Sequence, residues 1–206
     1  MNSARSAVLI GVPWEEHSSY LRGCGGAPRA IRAALRSEAS NPSTESGLDL
    51  GTDRRFRDAG DVEIPSGDHA ALAAIEKGVA AELASGARAL ALGGDHAITY
   101  PVVRATAARH PGLTIVHFDA HSDIYDEFEG DRLSHACPFA RIMEQGLASR
   151  LVQVGIRTLN APQRAQIEGA PRARAEDLHD RRTFRVVQHL LQTGLLHVED
   201  LAADGQ

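Results

Sequence analysis

At 206 residues the chain suits one domain of ordinary size, long enough to bury a sizeable core. An apolar fraction of 43% and a charged fraction of 24% are those of a soluble globular protein. The net charge of -5, with both signs interspersed, leaves no electrostatic footprint for nucleic acid, and no run approaches the length of a membrane span. Cys24 and Cys137 lie far apart and the N-terminus lacks a leader pattern, so reduced thiols and the cytoplasm are the expectation.

Ala7 to Val12 is a short continuous apolar run, the look of a strand covered on both faces. A turn with Gly23, Gly25 and Gly26 follows, and Pro28 opens a helix through Arg36, its fixed φ suiting a first turn. Ser37 to Asp58 is polar and rich in Ser, Asn, Pro and Gly, a long loop of the functional or mobile kind. A strand over Asp58 to Ile64 and an Ala-rich helix over His69 to Ser85 come next, the helix closed by Gly86. The series continues with strand 87–92, helix 99–109, the Pro111-Gly112 turn, strand 113–118, helix 135–147, strand 151–156 and a helix over Ala161 to Glu168. This alternation predicts an α/β fold whose parallel sheet is covered on both faces. In such sheets ligands bind beyond the carboxyl ends of the strands.

Two acid-and-histidine clusters fall at such ends. Gly93-Gly94-Asp95-His96 follows one strand, and Asp119, His121 and Asp123 follow another. If extended geometry continues past Phe118, positions 119, 121 and 123 project from one face. Carboxylates pointing together repel or desolvate badly without a cation between them. Oxygen and imidazole donors favour Mn or Zn over soft-ligand metals, and a shared carboxylate allows two ions to activate water as hydroxide between them. His135, in Ser134-His135-Ala136-Cys137-Pro138, is read at a helix start, where proton shuttling and simple capping or packing are equally open. His117 is read as alternating away from Asp119, with packing as its role. His17, His69, His110, His179, His189 and His197 carry no convincing constellation. The basic cluster Arg172, Arg174, Arg181 and Arg182 is interrupted by acids and reads as solvated.

Together with Val154-Gly155-Ile156-Arg157, these motifs resemble the ureohydrolase family of arginases, agmatinases and formiminoglutamases, over roughly residues 7 to 168. The resemblance implies a three-layer α/β/α sandwich with a mainly parallel sheet, and a dinuclear manganese centre that hydrolyses guanidino groups and releases urea. By the same resemblance His96, Asp119 and Asp123 hold one manganese, Asp119 bridges to a second that His121 binds, and His135 is the catalytic proton shuttle. Asp95 supports the cluster as an orienting carboxylate. A small cationic guanidino compound is the implied substrate, and a symmetric homo-oligomer the usual assembly. Agmatine ranks first and arginine second, because Tyr125 stands where arginases commonly have asparagine. Asp126, Glu127 and Glu129 would form an acidic mouth, although a solvated loop explains them almost as well.

The chain departs from the family after Glu168. The Ser-x-Asp-x-Asp segment that supplies further bridging ligands is missing, so the second ion keeps only Asp119 and His121. The expectation is therefore a partial α/β domain over 1–168, a divergent tail over 169–206, and a C-terminally incomplete, truncated or frame-shifted sequence. Its activity is in doubt on that account, with a catalytically inactive homologue or partner subunit as the alternative. In the tail, Phe184, Val187, Leu191 and Leu195 can share a helix face, and His197 with Glu199 can share a strand face.

Overall fold

The computed structural model describes residues 6–169. Ala7–Val12 forms β1, Ala27–Leu35 α1, Phe56–Asp61 β2 and Asp68–Ala84 α2. Arg88–Gly93 forms β3, Thr99–Ala107 α3, Thr114–Phe118 β4, Pro138–Glu144 α4, Arg150–Val154 β5 and Ala161–Gly169 α5. The strand–helix alternation follows the expected order. The tail's proposed helix and strand, its arginine cluster, and His197 with Glu199 lie outside the described residues.

Two boundaries move for physical reasons. The strand expected over 58–64 runs earlier, and its register with β1 breaks between Leu9 and Gly11. Gly60 lies beside that break with φ at 81°, a conformation that costs glycine little. The helix expected from residue 135 begins only at Pro138. Cys137 precedes the proline with φ at -122°, outside the helical region that a following proline disfavours. His135 therefore stands in a turn ahead of α4, not on its first turn.

Every named strand pairing is parallel: β1 sits between β2 and β3, while β4 pairs with β5 in a separate sheet. The step from β1 out to β2 and the return across β1 to β3 run in opposite directions. Right-handed crossovers then put α1 and α2 on opposite faces. Val8, Ile10 and Val12 pack with Ile75, Val79 and Leu83 of α2 in one core. A second core under β4 and β5 joins Leu151 to Tyr100, Phe139 and Ile142. Helix α3 links the two, since Ala105 belongs to the first core and Tyr100 to the second. Leu90 on β3 and Phe118 on β4 stay about half exposed. No helix among the described residues is long and apolar enough to cross a membrane.

On the α1 face, Arg32 is buried and grips the outer strand. Its guanidinium donates to Asp58 at 2.9 Å, to the Gly60 carbonyl at 2.8 Å, and to Asp61. Gly11 makes room, because a Cβ there would meet both Asp61 and Arg32. Burial alone would lower the Arg32 pKa, but the Asp58 and Asp61 hydrogen bonds outweigh it and raise it. Replacing Arg32 with Ala should cost about 2 kcal/mol, because two carboxylates lose a buried partner. Urea unfolding would measure this, and a loss below about 0.5 kcal/mol would show that the clamp carries no weight.

Candidate metal centre

β1 and β3 come together at their carboxyl ends through a glycine. Gly94 has φ at 26°, and a Cβ on it would meet the Trp14 carbonyl oxygen at 2.2 Å and that of Val12 at 2.6 Å. No side chain fits there, so the turn delivers Asp95 and His96 from a fixed position. Asp95 is buried and caps the 3-10 turn His96–Ile98, accepting the Ala97 N–H at 2.7 Å. Its other oxygen accepts the His17 N–H at 3.2 Å. Burial pushes the Asp95 carboxyl up, with these hydrogen bonds working against it. Asp95 thus holds the backbone that carries His96.

Extended geometry stops at Phe118. The Asp119 carboxylate accepts the His121 N–H at 2.8 Å, which bends the chain, and Asp123 takes a positive φ of 45°. Positions 119, 121 and 123 therefore do not share one face. Asp119 and Asp123 turn inward, whereas the His121 side chain is 63% exposed and its Nδ1 lies 3.4 Å from Asp119 Oδ1. The expectation of three donors in a row is corrected by that bend.

His117 moves the other way. It is buried, and two-residue spacing puts it on the face of Asp119, with Nε2 3.6 Å from Asp119 Oδ2. His96, His117, Asp119 and Asp123 bring donor atoms within 4.8 Å of one another. His96 Nδ1 lies 2.8 Å from Asp123 Oδ2. In that contact the imidazole donates; as ligands, both atoms would offer lone pairs to one ion. Two carboxylates and the His96 imidazole, with the buried His117 Nε2 beside them, fit a divalent cation of the manganese or zinc type. His121 lies beside this group rather than within it.

Electrostatics agree with that donor set. Burial would raise the Asp119 carboxyl, but the His121 N–H and the neighbouring His117 outweigh it and hold it below the usual carboxylate range. Burial, reinforced by His96, pushes the His117 imidazole down to about 4. Near neutrality the Asp119 carboxylate is thereby ionised and the His117 ring neutral.

Sequence reasoning missed His17. It follows β1, and its ring sits 2.6 Å from Asp131 and 3.2 Å from Asp68. Its carbonyl accepts His135 Nδ1–H at 3.0 Å and the His135 peptide N–H at 3.3 Å. The same loop is braced by Glu15, which accepts the Gly23 and Gly25 N–H groups at 2.7 and 2.6 Å. Only its place beyond a strand's carboxyl end could have singled His17 out. The acidic mouth is reduced in turn, since Asp126 pairs with Arg132 at 2.5 Å and Arg141 at 2.7 Å. Cys137 is buried, its thiol pushed up to about 12 chiefly by burial, so it stands apart from the chemistry.

The depressed His117 pKa has a measurable consequence. Between about pH 6.5 and 4 the unfolded imidazole takes a proton that the buried ring refuses. Its stabilising contribution is complete above pH 6.5 and falls with acidification, by up to about 3 kcal/mol at pH 4. Urea unfolding of the metal-free chain should show this acid slope, and His117→Phe should flatten it. Equal slopes in the two proteins would assign the effect elsewhere.

Relatives place the same features in context. The sequence profile of the Arginase family matches residues 5–197. Arginase 1, mitochondrial, of Oryza sativa subsp. indica is 45% identical over 169 residues, covering 78% of this chain and 50% of that protein. Agmatinase of Bacillus subtilis (strain 168) is 34% identical over 154 residues, covering 74% of this chain and 52% of that protein. The solved arginase from Medicago truncatula superposes with a TM-score of 0.77 at 37% identity, covering 92% of this chain and 60% of that one. The chain spans about half the length of the curated relatives it matches. Its parallel strands lead into histidines and aspartates whose donor atoms gather within 4.8 Å of one another, and a family profile covers nearly all of it: the chain belongs to the arginase family.

Proposed function

We propose that this chain carries the metal-binding half of an amidinohydrolase that cleaves a guanidino group to release urea, with manganese as the metal. The observation that carries the reading is the convergence of His96, His117, Asp119 and Asp123 within 4.8 Å. A divalent cation held there lowers the pKa of water toward neutrality and stabilises developing negative charge. His135 is the proton carrier. Its Nδ1–H is committed to the His17 carbonyl, which can only accept, so Nε2 is the nitrogen that takes and returns a proton. Asp95 keeps His96 in place through the turn it caps. Arginine and agmatine stand as the two candidate substrates: similarity to the rice arginase supports the first, and similarity to the bacterial agmatinase together with the Tyr125 position supports the second.

One observation favours a catalytically inactive reading of the isolated chain. The His121 side chain is exposed beside Asp119, outside the donor group, so the described residues assemble one ion's ligands and only a fragment of a second set. The expected result is one manganese per chain and no urea from arginine or agmatine, read by electron paramagnetic resonance and a urea assay. Asp119→Asn should weaken manganese by more than about 100-fold, beyond what loss of an outer hydrogen-bond partner costs. Unchanged metal content in that variant would remove the proposed centre. Two ions with turnover would reject the inactive reading, and the faster substrate would then be identified directly.

A further inference from the structure

His117 and Gln153 form a buried pair joining β4 to β5, in register with one another across the ladder. The Gln153 amide nitrogen lies 2.6 Å from the Ser122 carbonyl oxygen and 3.0 Å from His117 Nδ1. A carbonyl only accepts, so the group facing Ser122 is the NH2, and its second N–H points at Nδ1. The amide oxygen has no partner of its own, which leaves the N–H groups to set the side chain's orientation. Nδ1 is therefore an acceptor, and the ring proton sits on Nε2. Asp119 Oδ2 is the carboxylate oxygen within reach of Nε2, at 3.6 Å, and a small turn of that carboxylate closes the gap. Ring contacts to Phe139 at 4.3 Å and His96 at 5.4 Å fix the imidazole plane.

We infer that His117 is a positioning residue: its Nε2–H donates to Asp119 and orients that carboxylate toward the cation, while Gln153 and the Ser122 carbonyl hold its tautomer. Direct ligation by Nε2 would need the opposite tautomer, with the Gln153 oxygen set against the Ser122 oxygen. The inference rests on the metal reading above and adds an outer hydrogen bond to it.

Long-range proton–nitrogen NMR of the metal-free, histidine-labelled chain reads the tautomer without any activity. His117 should appear as the Nε2–H form, and Gln153→Leu should convert it to a mixture. Manganese affinity then separates the roles. His117→Gln, whose amide can donate from near the Nε2 position, should bind within about threefold of wild type, whereas His117→Phe should weaken binding by about tenfold or more. Circular dichroism checks that each variant is folded, and the Gln153→Leu spectrum stands if a His117 variant is not. An Nδ1–H tautomer in the wild type overturns the inference. So does unchanged affinity in His117→Phe, which leaves packing alone, or equal loss in both variants, which makes His117 a ligand. A wild-type chain that binds no manganese would sink the metal reading instead, and the tautomer would still decide the hydrogen bond.

Discussion

Two carboxylates brought together at a half-buried site are the constraint around which this chain is organised. Asp119 and Asp123 stand with His96 and His117 inside a 4.8 Å group, where mutual repulsion and lost hydration oppose the arrangement. Local geometry holds it regardless. Gly94 admits the backbone of β1 where no other residue could, and Asp95 then caps the turn that presents His96. On the other side the Asp119 carboxylate bends its own chain, and Asp123 occupies a left-handed conformation. Such strain is retained where the surrounding structure over-determines it, as at binding sites.

The group also spans two sheets. His96 follows β3 of the three-stranded sheet, while Asp119 and Asp123 follow β4 of the two-stranded one. Helix α3 contributes to both hydrophobic cores and so fixes the distance between them. The His96–Asp123 contact is the polar counterpart of that helix packing. Leu90 and Phe118 remain about half exposed on β3 and β4, the strands that precede these residues. Helix packing, the His96–Asp123 contact and the His17 contacts to Asp131 and His135 join the two sheets.

The His117–Gln153 pair shows how the scaffold reaches the chemistry. β5 supplies no member of the donor group, yet its Gln153 touches both the Ser122 carbonyl and the His117 ring. His17 plays a comparable part from β1, joining Asp68 and Asp131 to the backbone around His135. Each contact links residues far apart in sequence. Hydrogen-bond partners of this kind carry no local pattern, and neither Gln153 nor His17 stands out by composition or spacing.

Alternating apolar runs, glycines at turns and acid-histidine motifs after strands are local signals, and from them the sequence alone determined the α/β class, the order of elements and the ends at which chemistry gathers. His96, Asp119 and Asp123 were legible for that reason. Tertiary structure decided which neighbours complete the group. Period-two alternation holds only while a strand stays extended, and the Asp119–His121 turn ends it, sending His121 outward. His117, two residues before Asp119, stays within the strand and turns inward to the cluster. Spacing could propose the donors, but only a folded backbone with its hydrogen bonds satisfied could choose among them.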